Sequence, residues 1–355
     1  MTTVNLIYEV EKNRKKLGVL FAVFLISTTL LPGCTPATAN CASEDMFCVG
    51  LVTDIGKIND KSFNQSCWEG LQQAKKELGA RIEYIETANV KDYTTNIATF
   101  ADEGYDVIVT CGFKLGEATD AAAKTYPETD FIGVDQFQTE TVDRVAGLNF
   151  PEDNAGFLIG ALATMMSKTQ KIGAVCSTDE VPPVWRLGEG YKSGAAYADG
   201  VKGTNTEVLV VYHSNDNKAF IDPEWGKATA KSMIDQGVDV IFGCGSITGN
   251  AAVDAAAQQG IYAIGVDTDQ YLTLPEAAPR LLTSAMKLIT PGVFELIKLS
   301  KNGNFPSGNY LGSVGYAPFH DLENQIPADV KNEMEKINAG LQDGSIKTNV
   351  LPVKP

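Results

Sequence analysis

From Phe47 the chain alternates short apolar runs with amphipathic stretches. "FCVGLVT" (47–53) reads as a buried strand. A helix follows to about Leu78, with Cys67, Leu71, Ala74 and Leu78 on one face and Gly79 at its end. Ser62 and Gln65 have the S-x-x-Q spacing of a capping box at its start. Next come a strand "ARIEYIE", a helix "TTNIATFADEG" and a fully apolar strand "YDVIVTCG". "LGEATDAAAKTYP" is a helix stopped by Pro127, and "DFIGVDQ" is a strand that carries Asp135 near its end. A long helix "DNAGFLIGALATMMSK" and a strand "KIGAVCS" continue the series. Alternation of this kind predicts an α/β protein whose parallel sheets are covered by helices on both faces.

The pattern repeats. Residues 105–136 and 238–270 both read buried strand, Cys-Gly turn, Ala-rich helix, then "IGVD". Cys111 precedes Asp135 by 24 positions, and Cys244 precedes Asp267 by 23. Two such units about 130 residues apart predict two lobes of one design. Open α/β sheets take ligands at the carboxyl ends of their strands, so the first-strand turn, Asp135 and Asp267 should face one cleft.

Near the end the order becomes irregular. "RLLTSAMKL" reads as a strand, and "TPGVFELIKLSKNG" as a helix capped by Thr290 with Pro291 in its first position. "NYLGSVGYAPF" reads as one further strand. A chain that crosses between lobes more than once explains this order and makes a hinge that permits closure. The expected division is residues 46–150 plus about 276–307 for the N-terminal lobe, and 151–275 plus about 308–355 for the C-terminal lobe.

The first 33 residues read as a processing segment. Lys12, Arg14, Lys15 and Lys16 precede an apolar run from Leu17 to Leu31, too short for a comfortable membrane span. "LPGC" (31–34) resembles a bacterial lipobox, which implies cleavage before Cys34 and lipidation of that cysteine. An ordinary signal peptide ending near a cysteine is the alternative. Residues 34–45 then form a short flexible tether. Six cysteines remain, and six allow 15 pairings, among which sequence does not choose. Cys111 and Cys244 read equally well as small buried hydrophobes.

Charge narrows the function. The net charge is −15 with a pI near 4.6, and removal of residues 1–33 takes away four basic and two acidic residues. Such a body repels DNA and RNA, so no nucleic-acid polymer is expected as partner. The chain has two histidines, His213 and His320, and neither HExxH nor CxxC, so no metal or cofactor is expected.

The stretch "TDIGKINDKSFNQSCWEG" (53–70) places carboxylates, amides and a phenyl ring at one strand-to-helix turn. "DKSFNQSCWEG" closely resembles the D-K-S-F-N-Q-x-x-W-x-G signature of the basic membrane protein family, which includes purine nucleoside receptor A-like lipoproteins. The similarity runs over most of residues 48–320, with "IGVD", "DPEWGK" and "SAMK". It implies the type I fold of periplasmic binding proteins and a monomeric, membrane-anchored receptor that delivers a purine nucleoside to an ABC permease and its ATPase. Cys67 departs from the signature, where a small residue is usual.

The resemblance puts Phe63 against one face of a purine and Phe220, before "DP", against the other. Aromatic–base stacking contributes about 1–3 kcal/mol per face. Trp185 is a third candidate, with a surface or hinge role as its alternative. Asp54 and Asn64 suit the polar edge of a base, though a turn carboxylate and a helix-start amide explain them too. Asp267 and Lys287 are assigned by resemblance to the ribose hydroxyls, with Asp135 beside them. Strand-end aspartates also commonly cap the next helix. Gly245 would let backbone approach the ligand. Two other readings stand beside this one. A sugar or signalling-molecule receptor would keep the aspartates without the phenyl pair. A nucleoside hydrolase-like enzyme would need a metal or a matched acid–base pair, which aspartates spread over two lobes do not supply.

Overall fold

The computed structural model describes residues 41–42, 45–214 and 218–355, so the expected processing segment and the expected lipidation site at Cys34 lie outside the described residues. The apolar runs become two six-stranded sheets. The first contains β1 (Cys48–Ile55), β2 (Arg81–Thr87), β3 (Val107–Cys111), β4 (Asp130–Val134), β5 (Val145–Asn149) and β11 (Gly308–Leu311). Its order is β11-β5-β4-β3-β1-β2, and every pairing is parallel. The second contains β6 (Lys171–Cys176), β7 (Glu207–Tyr212), β8 (Val240–Cys244), β9 (Tyr262–Asp267), β10 (Leu281–Lys287) and β12 (Val314–Tyr316). Its order is β12-β10-β9-β8-β6-β7, parallel except that β12 runs antiparallel to β10. The repeat seen in the sequence is therefore a repeat of topology, with β1, β3 and β4 of one sheet matching β6, β8 and β9 of the other.

Strands buried on both faces need helices on both sides. In the first lobe α1 (Phe63–Leu78) and α9 (Ile289–Lys301) share one core with β1, while α2 (Tyr93–Asp102) and α3 (Gly116–Thr125) share the other. In the second, α4 (Glu152–Met166), α5 (Pro182–Lys202) and α10 (Ala328–Asp343) cover one face, and α6 (Pro223–Asp235) and α7 (Ser246–Gln258) the other. A one-turn helix, α8 (Gln270–Thr273), follows β9. Helices α4 and α5 approach through glycines. A Cβ on Gly160 would lie 2.0 Å from the Tyr191 carbonyl, and one on Gly194 would lie 1.9 Å from that of Phe157.

Several local expectations are corrected. The second crossing, expected near residue 276, falls after Lys287, because Leu281–Lys287 pairs with β9 in the second sheet. The third, expected near 307, falls after Leu311, because Gly308–Leu311 pairs with β5. "NYLGSVGYAPF" is thus two strands in two sheets, broken at Gly312 and Ser313. The crossings bond to one another: Gly312 N donates to Asn149 O at 2.7 Å, and Leu288 N to Ser313 O at 3.0 Å. Thr290 does not cap α9, which begins at Ile289; its hydroxyl donates to Ser66 O of α1.

The cysteines resolve into two disulfides, Cys41–Cys48 and Cys67–Cys111, and two buried thiols, Cys176 and Cys244. Cys111 is therefore half a cross-link from α1 to the end of β3, not a plain buried hydrophobe. The end of the expected tether is fixed at Cys41, which is buried against the first lobe.

Candidate functional site

In both sheets the strand order reverses between the first and third strands, at the parallel pairs β1/β3 and β6/β8, the position where doubly wound sheets take ligands. The turns there match. Gly112 after β3 has φ 132° and Gly245 after β8 has φ 120°, which favours glycine at both. Asp135 and Asp267, at the ends of the paired "IGVD" strands, both adopt left-handed backbone, with φ 63° and 67°. A cavity of about 680 Å³, its solvent mouth included, lies between these strand ends.

Eight of the nine expected residues line this one cavity: Asp54, Phe63, Asn64, Asp135, Phe220, Gly245, Asp267 and Lys287. Trp185 does not. It is buried on α5, and its neighbours Val184 and Leu187 face the cavity in its place. Phe63 comes from the first lobe and Phe220 from the second. The Phe220 loop is pinned to the start of α7, because Thr248 N donates to Phe220 O and Asp222 N to Thr248 Oγ1 at 2.9 Å. Asp222 also caps α6 by accepting from Trp225 N.

The start of α1 departs from the capping-box expectation. Ser62 makes no side-chain cap. Buried Asp60 does this work: its carboxylate accepts from the backbone N–H of Ser62 at 3.0 Å and of Asn64 and Gln65 at 3.1 Å. Ser62 Oγ is thereby free to reach across the cleft to Asp267 Oδ2 at 2.6 Å. The same turn holds the second lobe at further points. Ser246 Oγ donates to Asp60 Oδ2 at 2.9 Å, and Asn250 Nδ2 to Asp60 O at 2.8 Å. Gln270 Nε2 and Thr273 Oγ1 both donate to Lys61 O, at 3.1 and 3.0 Å. The lobes are closed on the 60–62 turn.

Lys287 is the basic residue in the lining. Its ammonium donates to both Asp135 oxygens at 2.7 Å and lies 5.2 Å from the Phe63 ring centroid and 5.0 Å from that of Phe150. Burial works against its charge, but Asp135, Glu152 and Asp267 hold its pKa above the usual lysine value. Asp267 is pushed up to about 6, chiefly by burial, with Lys287 and the Ser62 bond opposing. Burial also raises Asp54, against the hydrogen bonds from Tyr93 and Ile55 N. The Asn64 side-chain oxygen is buried at the lining without a hydrogen-bond partner, so a ligand donor would satisfy it.

Sequence reasoning left Asp60, Ser246, Phe113 and Glu152 unassigned. Asp60 two residues before a helix-start serine was a usable signal. Glu152 was not legible, because an acidic first turn is ordinary at any helix start.

Residues 47–312 match the family model of PnrA-like ABC transporter substrate-binding proteins. The chain is 30% identical to a CD4+ T-cell-stimulating antigen of Listeria innocua, over 96% of this chain and 99% of that one. It is 29% identical to the ABC transporter nucleoside-binding protein BmpA of Lactococcus lactis, over 94% and 98%. An ABC transporter solute-binding protein of Aeropyrum pernix superposes with a TM-score of 0.76 at 25% identity, over 85% of this chain and 92% of that one. The neighbours share the type I periplasmic-binding fold, and a substrate-binding protein of this class serves a small-molecule ligand and a membrane transporter. Sequence, topology and the position of the cleft agree that this chain belongs to the PnrA-like, basic-membrane-protein family of ABC transporter substrate-binding proteins.

Proposed function

We propose that the protein captures purine nucleosides outside the cell membrane, tethered by lipid on Cys34, and passes them to an ABC permease driven by a cytoplasmic ATPase. The observation that carries this reading is the pair Phe63 and Phe220, supplied by opposite lobes to one cavity whose other walls hold Asp267, Asp135 and Lys287. Two phenyl faces suit a planar base, and carboxylates beside an ammonium suit vicinal hydroxyls. Asp54 and the unsatisfied oxygen of Asn64 line the same cavity, and their chemistry suits a polar base edge. A Lactococcus relative named as nucleoside-binding and a Pyrococcus furiosus relative named as a lipoprotein agree with the two halves of the proposal.

The test is native mass spectrometry of residues 41–355 purified without added ligand, followed by addition of guanosine, inosine, adenosine, cytidine and ribose. A bound purine nucleoside supports the reading. Binding of ribose alone moves the assignment to a sugar receptor, and release of free base from inosine would make the protein an enzyme.

A further inference from the structure

Glu152 lies behind the cavity wall, at the first crossing of the chain between lobes, and is 2% exposed. Its Oε1 lies 3.4 Å from Lys287 Nζ, and its Oε2 lies 3.1 Å from an Arg186 nitrogen. Arg186 continues the chain of charges, pairing with Asp153 and donating to Phe150 O at 3.4 Å. Lys287 is the last residue of β10, at the second crossing. One buried carboxylate thus joins the lysine that faces the cavity to an arginine on α5, with both hinge crossings between them.

We propose that Glu152 is a positioning residue for the solute: ionised, it holds the Lys287 ammonium between itself and Asp135 and facing the cavity; protonated, it releases that hold, so that binding becomes proton-linked. The groups around it set the balance. Lys287 from β10 and Arg186 from α5 favour the ionised form, while Asp135 at the end of β4 opposes it. Asp267 acts on Lys287 from the end of β9, and Asp153 competes for Arg186. Burial is the largest influence and brings Glu152 up to about 7. A small change of pH near neutrality therefore changes the charge facing Lys287.

The identity of the solute rests on the nucleoside reading, but the hold on Lys287 does not, so the test has two arms. In the ligand-free protein, the Nζ resonance of Lys287 in 15N-lysine-labelled protein is followed from pH 5.5 to 8.5. It should show an inflection near pH 7 that Glu152→Gln removes. Arg186→Gln leaves Glu152 in place but takes away a cation that favours its charge, so the inflection should move to higher pH. An inflection unchanged in both variants overturns the proposal. In the second arm, inosine is titrated by calorimetry. Glu152→Gln should weaken binding about tenfold at pH 8, the scale of one hydrogen bond to a charged group, and much less at pH 6. An equal loss at both pH values would make Glu152 merely structural and overturn the linkage. Wild-type protein that binds no inosine yet shows the Lys287 inflection would refute the nucleoside reading and uphold the positioning role.

Discussion

Ser62 Oγ donates to Asp267 Oδ2 at 2.6 Å, joining the residue just before α1 in one lobe to the last residue of β9 in the other. The bond exists because Asp60 has taken over the capping of α1 and left the serine hydroxyl for the cleft. Ser62→Ala removes the donor from a buried carboxylate. The expected result is a binding loss of roughly 1.5–3 kcal/mol for a bond to a charged group, read by calorimetry, with little change in helix content by circular dichroism.

Asp60→Ala should behave differently. It removes three backbone caps and the Ser246 bond together, so it should lower stability by at least the ~1 kcal/mol typical of one lost cap as well as weaken binding. A shift of the denaturation midpoint at constant slope, accompanied by weaker ligand affinity, is the expected pair of readings.

The aromatic pair makes a selective prediction. Phe63→Ala and Phe220→Ala should each weaken guanosine or inosine binding by about 1–3 kcal/mol while leaving ribose binding nearly unchanged. Mild losses in both variants would remove the stacked base from the account.

Stability should depend on pH in a stated direction. Asp267 stands at about 6 and Glu152 at about 7 in the fold, against roughly 3.9 and 4.3 in an unfolded chain. Between about pH 4 and 7 the folded protein holds protons that the unfolded chain releases, so these groups make stability fall as pH rises through that window. Ligand-free melting should occur at higher temperature near pH 5 than near pH 8. Asp267→Asn and Glu152→Gln should each flatten the slope. A melting temperature that climbs from pH 5 to 8, with the same slope in both variants, would contradict the charge arrangement.

Removing Lys287 should be costly in another way. Lys287→Met leaves Asp135 buried without its cation and Glu152 with Arg186 alone, and breaking a buried pair from one side costs about 3–5 kcal/mol. The double variant with Asp135→Asn should recover part of that loss in urea unfolding, since it removes one of the stranded charges.

Much of this was legible in the sequence for specific reasons. The "CG…IGVD" repeat fixed where strands end, and residues at strand ends of a doubly wound sheet meet in one cleft, which is why Asp135 and Asp267 could be placed together. Trp185 went astray because the helix over Pro182–Lys202 was not read, so which of its faces meets the cleft was not considered; Val184 and Leu187 turn toward the cavity instead. The second crossing was misplaced because "RLLTSAMKL" pairs with β9, and the third because "NYLGSVGYAPF" has one apolar pattern but pairs in two sheets, both choices made by long-range partners. The disulfides could not be read from spacing, since Cys67 and Cys111 meet only when α1 packs over β3. Asp60 was visible as a polar residue, yet its cap depends on a turn geometry that the S-x-x-Q spacing masked.

On the proposed reading, two lobes close a phenyl pair and a strand-end aspartate around a purine nucleoside. Calorimetric titration of the soluble body with inosine, beside ribose and cytidine and repeated with Asp267→Asn, tests it most directly. Saturable one-to-one binding of inosine, much weaker binding of ribose and a marked loss in the aspartate variant are expected. Ribose binding as tightly as inosine, or inosine binding unaffected by Asp267→Asn, would contradict it.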